Sequence, residues 1–143
     1  MRAVTLVPGE AEGEVFVLAE PLSFWGGLDA TTGKIIDRWH PQCGAALTGK
    51  VLVMERGRGS SSGSSVLAEA IRAGTGPAAI LLLTRDAIVT VGALVAAELY
   101  GKACPVAMVA AEDWPALTGR LRVEAGAEGA LVGVANQDSA GVN

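Results

Sequence analysis

One segment of the chain reads Lys50-Val51-Leu52-Val53-Met54-Glu55-Arg56-Gly57-Arg58-Gly59-Ser60-Ser61-Ser62-Gly63-Ser64-Ser65. Its first six residues form a near-continuous apolar run of strand length, which indicates a strand buried on both faces. A glycine- and serine-rich segment follows, and after it a helix is predicted over 65–73, ended by Gly74. A buried strand that leads through a loop into a helix is typical of a parallel βαβ unit.

The segments on either side continue this alternation of strands and helices. A second helix is predicted over 88–100 because its apolar residues recur at helical spacing and Gly101 ends it. A shorter turn of helix is predicted over 112–117. Strands are predicted over 2–7, 14–20, 50–55, 78–83, 105–109, 120–123 and 130–134, with a turn over 9–13 before the second of them.

The order of these elements defines the fold class. From residue 50 onward the order is strand, helix, strand, helix, strand, which predicts right-handed βαβ units and a parallel sheet. The first half contains strands and loops only. We therefore predict an α/β fold with a parallel βαβ core and an additional β layer. Residues 1–135 form a single domain, and we expect the tail 136–143 to be flexible.

The composition excludes several classes of function. The chain has 143 residues, of which 50% are apolar and 18% are charged, and its net charge is −4 with a pI near 4.9. The basic residues are scattered, so the chain lacks the basic stripe of a nucleic-acid-binding protein. Its apolar stretches fall short of the roughly 20 residues that a membrane-spanning helix needs. We expect no membrane association and a cytoplasmic location.

The glycine- and serine-rich segment is the best candidate for a binding site. Ligands bind at the carboxyl ends of parallel strands, and unpaired N–H groups at the start of a helix favour an anion there. Glycines let the backbone approach a ligand, serines add hydroxyl donors, and the arginines add positive charge. These features predict a carboxylate or phosphate site with candidate contacts at Arg58, Gly59, Ser61, Ser62 and Ser64. The alternative is a flexible loop whose last serine only caps the helix.

A second feature is the aromatic segment Ser23-Phe24-Trp25-Gly26-Gly27-Leu28-Asp29, in a chain with only 4% aromatic residues. Large aromatic side chains beside paired glycines indicate either core packing around a tight turn or a partner interface. The lone histidine lies in a loop, where a structural hydrogen-bonding role is more common than a role as base. The candidates for an interface or pocket wall are Phe24, Trp25, Gly26, Gly27, Asp29 and His40.

The cysteines bound the metal chemistry of the chain. Cys43 and Cys104 are the only two, too few for a disulfide scaffold and too few to hold a zinc or iron–sulfur centre unaided. His40 and Cys43 have a spacing compatible with metal ligation, but two ligands do not make a site. We therefore predict that this chain alone binds no metal.

Five blocks of the sequence, read together, resemble the small subunit of aconitase X. The blocks occupy 21–29, 32–37, 40–42, 49–53 and 57–64, and the resemblance covers roughly 4–109 in a consistent order. It implies a swivelling β/β/α three-layer domain that closes over a larger catalytic subunit. It further implies a hydro-lyase that dehydrates a small hydroxy acid. Iron, mononuclear or in an iron–sulfur cluster, would be held by that large subunit in a heterodimer or higher assembly.

The resemblance also implies a catalytic residue. In aconitases the swivelling domain supplies a serine, in a Gly-Ser-Ser-Arg setting, as the base that removes the substrate proton; by motif position this serine is Ser60. The arginine of that motif is replaced by Ser62, so Arg58 or hydroxyls such as that of Ser62 would take its place. A serine hydroxyl is a very weak acid. Its alkoxide form therefore needs helix-start amides, nearby arginines and a desolvated, closed site.

Two substrates are associated with the family, cis-3-hydroxy-L-proline in bacterial members and mevalonate 5-phosphate in archaeal members. The chain contains eight arginines and three lysines and is rich in alanine and glycine, which favours a bacterial origin and hence the hydroxyproline. A different class of function is a non-catalytic subunit that binds an anion or serves only as a structural part of an assembly.

Overall fold

The structure of the chain is a computed structural model that describes residues 1–135; the predicted tail 136–143 lies outside the described residues. The strands are β1 (Arg2–Val7), β2 (Gly9–Val17), β3 (Leu28–Asp29), β4 (Lys34–Ile35), β5 (Val51–Met54), β6 (Ala79–Leu82), β7 (Val106–Val109), β8 (Arg120–Gly126) and β9 (Gly129–Val134). The helices are α1 (Phe24–Gly27), α2 (Gly63–Ala73) and α3 (Ala87–Tyr100), with a 3-10 helix at Ala111–Ala116.

Seven strands join into one closed barrel in the order β1-β7-β6-β5-β2-β8-β9. The strands β2, β5, β6 and β7 run parallel to one another, whereas β1, β8 and β9 pair antiparallel with their neighbours. The mixed α/β class with a parallel βαβ core is therefore confirmed. The additional strands belong to the same closed sheet as the parallel ones, and the three-layer description stays a prediction.

The central strands face a different core on each side, which explains their continuous apolar sequences. Val51 and Val53 of β5 pack with Leu81 of β6 in a cluster whose members come mainly from the barrel strands. Leu52 of β5 points the other way, into a cluster that includes Leu67 of α2 and helix α3. Strands that are buried on both faces carry apolar side chains at every position. The helices thus cover the outside of the barrel at its parallel strands.

Strand β2 begins earlier than predicted, so the turn expected over 9–13 is wrong. This stretch alternates glutamates with small residues, and its register places Glu12 opposite Arg122 and Glu10 opposite Glu124 of β8. Ion pairs at 2.7 Å between Glu10 and Arg122 and at 3.3 Å between Glu12 and Arg120 line the outer face of this pair of strands. Alternation with period two is typical of a strand. In this stretch it indicated the observed structure, whereas the glycines had indicated a turn.

The helices occur where they were predicted, with small changes of boundary. Helix α2 begins at Gly63, two residues before the predicted start, and ends at Gly74, whose φ of 81° gives the left-handed C-cap. Helix α3 begins at Ala87 and is capped by Asp86. The predicted turn over 112–117 is the 3-10 helix Ala111–Ala116. Within residues 1–135, every helix is too short or too polar to cross a membrane.

Candidate functional site

The candidate site lies where β5 and β6 end, at one edge of the parallel sheet. The backbone N–H groups of Leu83 and Thr84, which follow β6, both donate to the carbonyl oxygen of Glu55, which follows β5, at 3.1 Å. The loops that leave these two strands are therefore held side by side. This edge is where ligands bind in parallel α/β sheets.

Residues Gly57–Ser62 form the loop between β5 and α2, which we call the serine loop. Within it, the Ser62 backbone N–H donates to the Ser60 hydroxyl oxygen at 3.1 Å. The Gly63 N–H donates to the Ser60 carbonyl oxygen at 2.9 Å, immediately before the 11-residue helix α2 begins. The Ser60 hydroxyl thus lies at a helix N-terminus, where the amide and the helix dipole favour negative charge.

The other polar side chains of this region differ in their exposure. Ser61, Ser62 and Arg58 are exposed. Within residues 1–135, Arg58 takes part in none of the ion pairs. Ser64 is partly buried, and its hydroxyl donates to the Ile88 carbonyl oxygen at 2.7 Å, which ties α2 to α3. Ser61, Ser62 and Arg58 are therefore accessible to a ligand, whereas the Ser64 hydroxyl already donates its proton to Ile88.

The aromatic segment lies directly against the serine loop. Gly59 has a φ of +91°, and a Cβ atom at this position would overlap the Ser23 side chain. A Cβ at Gly63 would lie 3.6 Å from both the Phe24 Cβ and the Trp25 backbone nitrogen. The two segments that the sequence analysis singled out are therefore in contact.

Phe24 and Trp25 face opposite ways. Phe24 is 2% exposed and belongs to the core, whereas Trp25 is 60% exposed. Trp25 and Gly26 have φ/ψ values of −70°/118° and 80°/−13°, those of a type II turn, so α1 is kinked at these residues. Gly27 is tightly packed, since a Cβ there would lie 2.9 Å from the Leu22 Cδ1. The turn thus buries one aromatic ring and leaves the other exposed to solvent.

Asp29 and His40 make local structural hydrogen bonds. The Asp29 carboxylate accepts from the Thr31 N–H at 2.8 Å. His40 is 5% exposed, and its Nδ1 accepts from the Gln42 N–H at 3.1 Å while its Nε2 donates to the Glu20 carbonyl oxygen at 3.0 Å. These partners define the neutral tautomer with the proton on Nε2. Both ring nitrogens of His40 therefore serve to hold its loop.

Asp86 contacts the serine loop, and the sequence analysis did not single it out as a site residue. Its Oδ2 accepts from the Gly57 N–H at 2.8 Å and its Oδ1 accepts from the Val89 N–H at 3.0 Å. An aspartate directly before a helix is a common N-cap. Its position after β6, at the same sheet edge as the serine loop, is the signal that could have indicated the contact.

The described residues do not fit an iron site. Cys104 is fully buried, and this burial raises the pKa of its thiol to about 12, so the thiolate that metals require is disfavoured. Cys43 is exposed. Across residues 1–135, no three side chains of His, Cys, Asp or Glu are grouped closely enough to hold a metal ion.

Comparison with known proteins gives a consistent result. Residues 1–133 match the family described as the aconitase X swivel domain. The chain is 46% identical to the cis-3-hydroxy-L-proline dehydratase of Pseudomonas aeruginosa over 83% of its length and 22% of that protein. It is 47% identical to the phosphomevalonate dehydratase small subunit of Pyrococcus furiosus over 64% of its length and 68% of that protein.

Solved structures show the same similarity. The crystal structure of holo aconitase X from Thermococcus kodakaraensis matches with a TM-score of 0.78 at 32% identity, covering 92% of this chain and 95% of that one. The solution NMR structure of a UPF0107 protein matches with a TM-score of 0.78 at 33% identity, covering 95% and 98%. The chain spans about a fifth of the length of the hydroxyproline dehydratases from Pseudomonas aeruginosa and Hypocrea jecorina.

Proposed function

Because the chain belongs to the aconitase X swivel-domain family, we propose that it is the small subunit of a hydro-lyase that dehydrates cis-3-hydroxy-L-proline. The observation that carries this proposal is the setting of Ser60. Its hydroxyl oxygen accepts an amide hydrogen bond where α2 begins, in the loop after β5 whose Gly59 packs against Ser23 of the aromatic segment. This supplies the helix-start amide that a serine base needs, and a covering surface would supply the desolvation.

Ser60 is the proposed base. As an alkoxide, its Oγ takes the proton from the substrate carbon next to the one that carries the hydroxyl group. The C–H electron pair becomes the second bond between the two carbons, and the hydroxyl group leaves with its bonding pair as hydroxide. The proton taken by Ser60 is then returned to this hydroxide, so that the net products are an alkene and water and the alkoxide is regenerated. The Ser62 amide and the helix dipole favour the alkoxide, and the guanidinium of Arg58, two positions earlier in the chain, would add positive charge. The base is therefore formed by this chain, provided that solvent is excluded.

The remaining loop residues have proposed substrate contacts. Arg58 offers a guanidinium for a carboxylate, and the exposed backbone and hydroxyls of Gly59, Ser61 and Ser62 offer hydrogen bonds. Ser64 serves first to join α2 and α3. Because the loop is exposed, another surface must cover it to form a closed pocket.

That surface is the proposed large subunit. The Pseudomonas relative contains the matched region as 22% of a longer protein, and the Pyrococcus relative is named a small subunit. The large subunit would hold the iron that the family resemblance implies, since residues 1–135 offer no fitting ligand set. We expect Trp25, beside the serine loop, to contact it, and we expect the assembly to be cytoplasmic.

The extent of similarity favours the hydroxyproline over the phosphorylated substrate. The Pseudomonas and Pyrococcus relatives have similar identities, 46% and 47%, but the alignment with the Pseudomonas enzyme extends over 83% of the chain and that with the Pyrococcus subunit over 64%. The alternative substrate is mevalonate 5-phosphate. Assays of the assembled enzyme with cis-3-hydroxy-L-proline and with mevalonate 5-phosphate decide between them. Turnover of mevalonate 5-phosphate but not of the hydroxyproline would contradict the proposed substrate.

The test of the base is Ser60→Ala in the assembled two-subunit enzyme. We expect turnover to fall at least 10²-fold because the proton acceptor is lost, with the melting temperature unchanged because the side chain is exposed. Ser65→Ala is the matched control and should retain most of the activity, because Ser65 is an exposed serine of α2 with no proposed contact to the substrate. Near-normal kcat in Ser60→Ala would show that this serine is not the base.

A second measurement separates catalysis from simple anion binding. The lone chain is titrated with the hydroxyproline in a calorimeter, and its turnover is assayed with and without the large subunit. We expect turnover only with the partner. Submillimolar binding by the lone chain, together with no turnover in the assembly, would instead identify an anion-binding subunit.

A further inference from the structure

One carboxylate connects the serine loop to helix α3. Asp86 Oδ2 accepts from the Gly57 N–H at 2.8 Å, and Asp86 Oδ1 accepts from the Val89 N–H at 3.0 Å. The side chain is partly buried between these two groups. Hydrogen bonds to an ionised acceptor are stronger than those between neutral groups. The first residue of the serine loop is thus fastened to the first turn of α3.

Position 57 has no space for a side chain beside the Asp86 carboxylate. A Cβ atom at Gly57 would lie 2.7 Å from the Asp86 Oδ2 and 3.0 Å from its Cγ, so any larger residue would push the carboxylate away. At the far side of the loop, the Ser64 hydroxyl donates to the Ile88 carbonyl oxygen at 2.7 Å. Asp86 and the first turn of α3 therefore hold the chain on both sides of Ser60, at Gly57 in the serine loop and at Ser64 in α2.

We infer that Asp86 is a positioning residue for Ser60: its bond to Gly57 fixes where the serine loop leaves β5 and so where the Ser60 hydroxyl meets the substrate. The catalytic consequence rests on the proposed function, whereas the hydrogen bond does not. A base that is displaced by about 1 Å can lose about 10²-fold in rate. Asp86 itself need not touch the substrate.

Asparagine at this position separates the two bonds of Asp86. Asparagine is about as good an N-cap as aspartate, so Asp86→Asn retains the bond to Val89. Its amide then presents an NH₂ group to the Gly57 N–H, which places donor against donor. Asp37→Asn is the matched control, because Asp37 accepts from the Trp39 N–H at 2.9 Å in a loop that does not contact Asp86.

The experiment combines amide hydrogen exchange by NMR on the full chain with kinetics of the assembled enzyme. For Asp86→Asn we expect exchange at Gly57 and Ser62 to accelerate at least 10-fold while Val89 stays protected. We expect kcat to fall 10- to 100-fold and KM to rise as well, since the serine loop carries both the proposed base and the proposed substrate contacts. Asp37→Asn should change neither quantity.

Gly57→Ala is the second variant, in case Asp86→Asn does not fold. It displaces the carboxylate from the opposite side and should give the same exchange pattern and the same fall in kcat. Unchanged exchange at Gly57 in Asp86→Asn overturns the inference, whatever the activity. Faster exchange with wild-type kcat, in an enzyme that Ser60→Ala inactivates, overturns it as well. If Ser60→Ala is also active, the proposed function fails and the catalytic role of Asp86 fails with it, while the hydrogen bond stands.

Discussion

At the scale of single residues, the contact between Gly59 and Ser23 sets how closely the serine loop approaches the aromatic segment. The Gly59 backbone has a φ of +91°, which side chains other than glycine rarely adopt, and the space beside it is filled by Ser23. Ser23 is itself oriented by its hydroxyl, which donates to the Trp25 carbonyl oxygen at 3.0 Å. One glycine therefore couples two parts of the proposed site.

We predict that Gly59→Ala is more harmful than Gly44→Ala. Both glycines have a positive φ, +91° and +96°, but the space around Gly44 is open to 4 Å. Gly44→Ala should therefore lose only the conformational strain, about 1–2 kcal/mol of stability. Gly59→Ala meets the Ser23 side chain as well, so it should lose more stability and most of the activity.

Chemical denaturation of both variants, with kinetics of the assembled enzyme, measures the difference. Ser23→Gly in the Gly59→Ala background should restore part of the loss by removing the obstructing side chain. Equal effects of the two alanine substitutions would mean that the contact with Ser23 is unimportant.

Local sequence indicated where the candidate site lies but not all the residues that contact it. The serine loop, with Arg58, could be selected because it follows a buried strand and precedes a helix, whereas Ser60 was selected as the base only through the family resemblance. Asp86 could not be selected in the same way. Its bond to Gly57 joins residues 29 positions apart, and the local sequence around Asp86 indicates only a helix cap.

At the scale of elements, the loop around His40 fastens the chain that leaves β2. The Gln42 side chain donates to the Val17 carbonyl oxygen at 2.8 Å and accepts from the Ala19 N–H at 3.0 Å. His40 donates to the Glu20 carbonyl oxygen. These bonds hold Val17, Ala19 and Glu20, the last of them three residues before Ser23, so they set the direction in which the chain approaches the aromatic segment.

We predict that His40→Ala lowers the free energy of unfolding by about 1–3 kcal/mol, because two partly buried hydrogen bonds, to the Glu20 carbonyl oxygen and from the Gln42 N–H, are lost. The aromatic segment should also loosen, which faster amide exchange across 23–27 would report. Thr31→Ala is the control, since its side chain is exposed and lies in the turn between β3 and β4. Unaltered exchange across 23–27 in His40→Ala would contradict this role of the loop.

The elements differ in how well their sequences predicted them. Strands β5 and β6 were predicted closely because burial on two faces leaves an unbroken apolar run. The beginning of β2 was mistaken for a turn because its glycines were given more weight than its alternating glutamates. Strands β3 and β4 were missed, since two residues each are too few for a periodic signal.

At the scale of the whole molecule, the barrel closes through a pairing that no local pattern could predict. Strand β9 pairs with β1, with Arg2 opposite Leu131 and Ala3 opposite Ala130. The Val132 N–H donates to the Met1 carbonyl oxygen at 2.8 Å. The α/β class follows from the order of elements, whereas this closure depends on contacts across nearly the whole domain.

The proposed assembly with a large subunit can be tested by substitution of the two exposed tryptophans. Trp25 is 60% exposed next to the serine loop, and Trp39 is 93% exposed in the loop of His40. We predict that Trp25→Ala raises the Kd of the complex at least 30-fold, as expected for a residue that contributes about 2 kcal/mol or more at an interface. Trp39→Ala should change it less than threefold. Calorimetric titration of the subunits measures both values, and the reverse order would place the interface around Trp39.

The pairing of β1 with β9, the first and last strands of the barrel, has a consequence for how this domain can be joined to larger proteins. The α-amino group of Met1 donates to the Val132 carbonyl oxygen at 2.7 Å, so head and tail of the barrel emerge next to each other. A unit with adjacent entry and exit points can be spliced into a host polypeptide at a single site, or left as a separate subunit, without breaking its hydrogen-bonded ring. The same barrel can thus form part of a longer chain, as in the Pseudomonas relative, or a separate small subunit, as in the Pyrococcus relative, without a change to its interior.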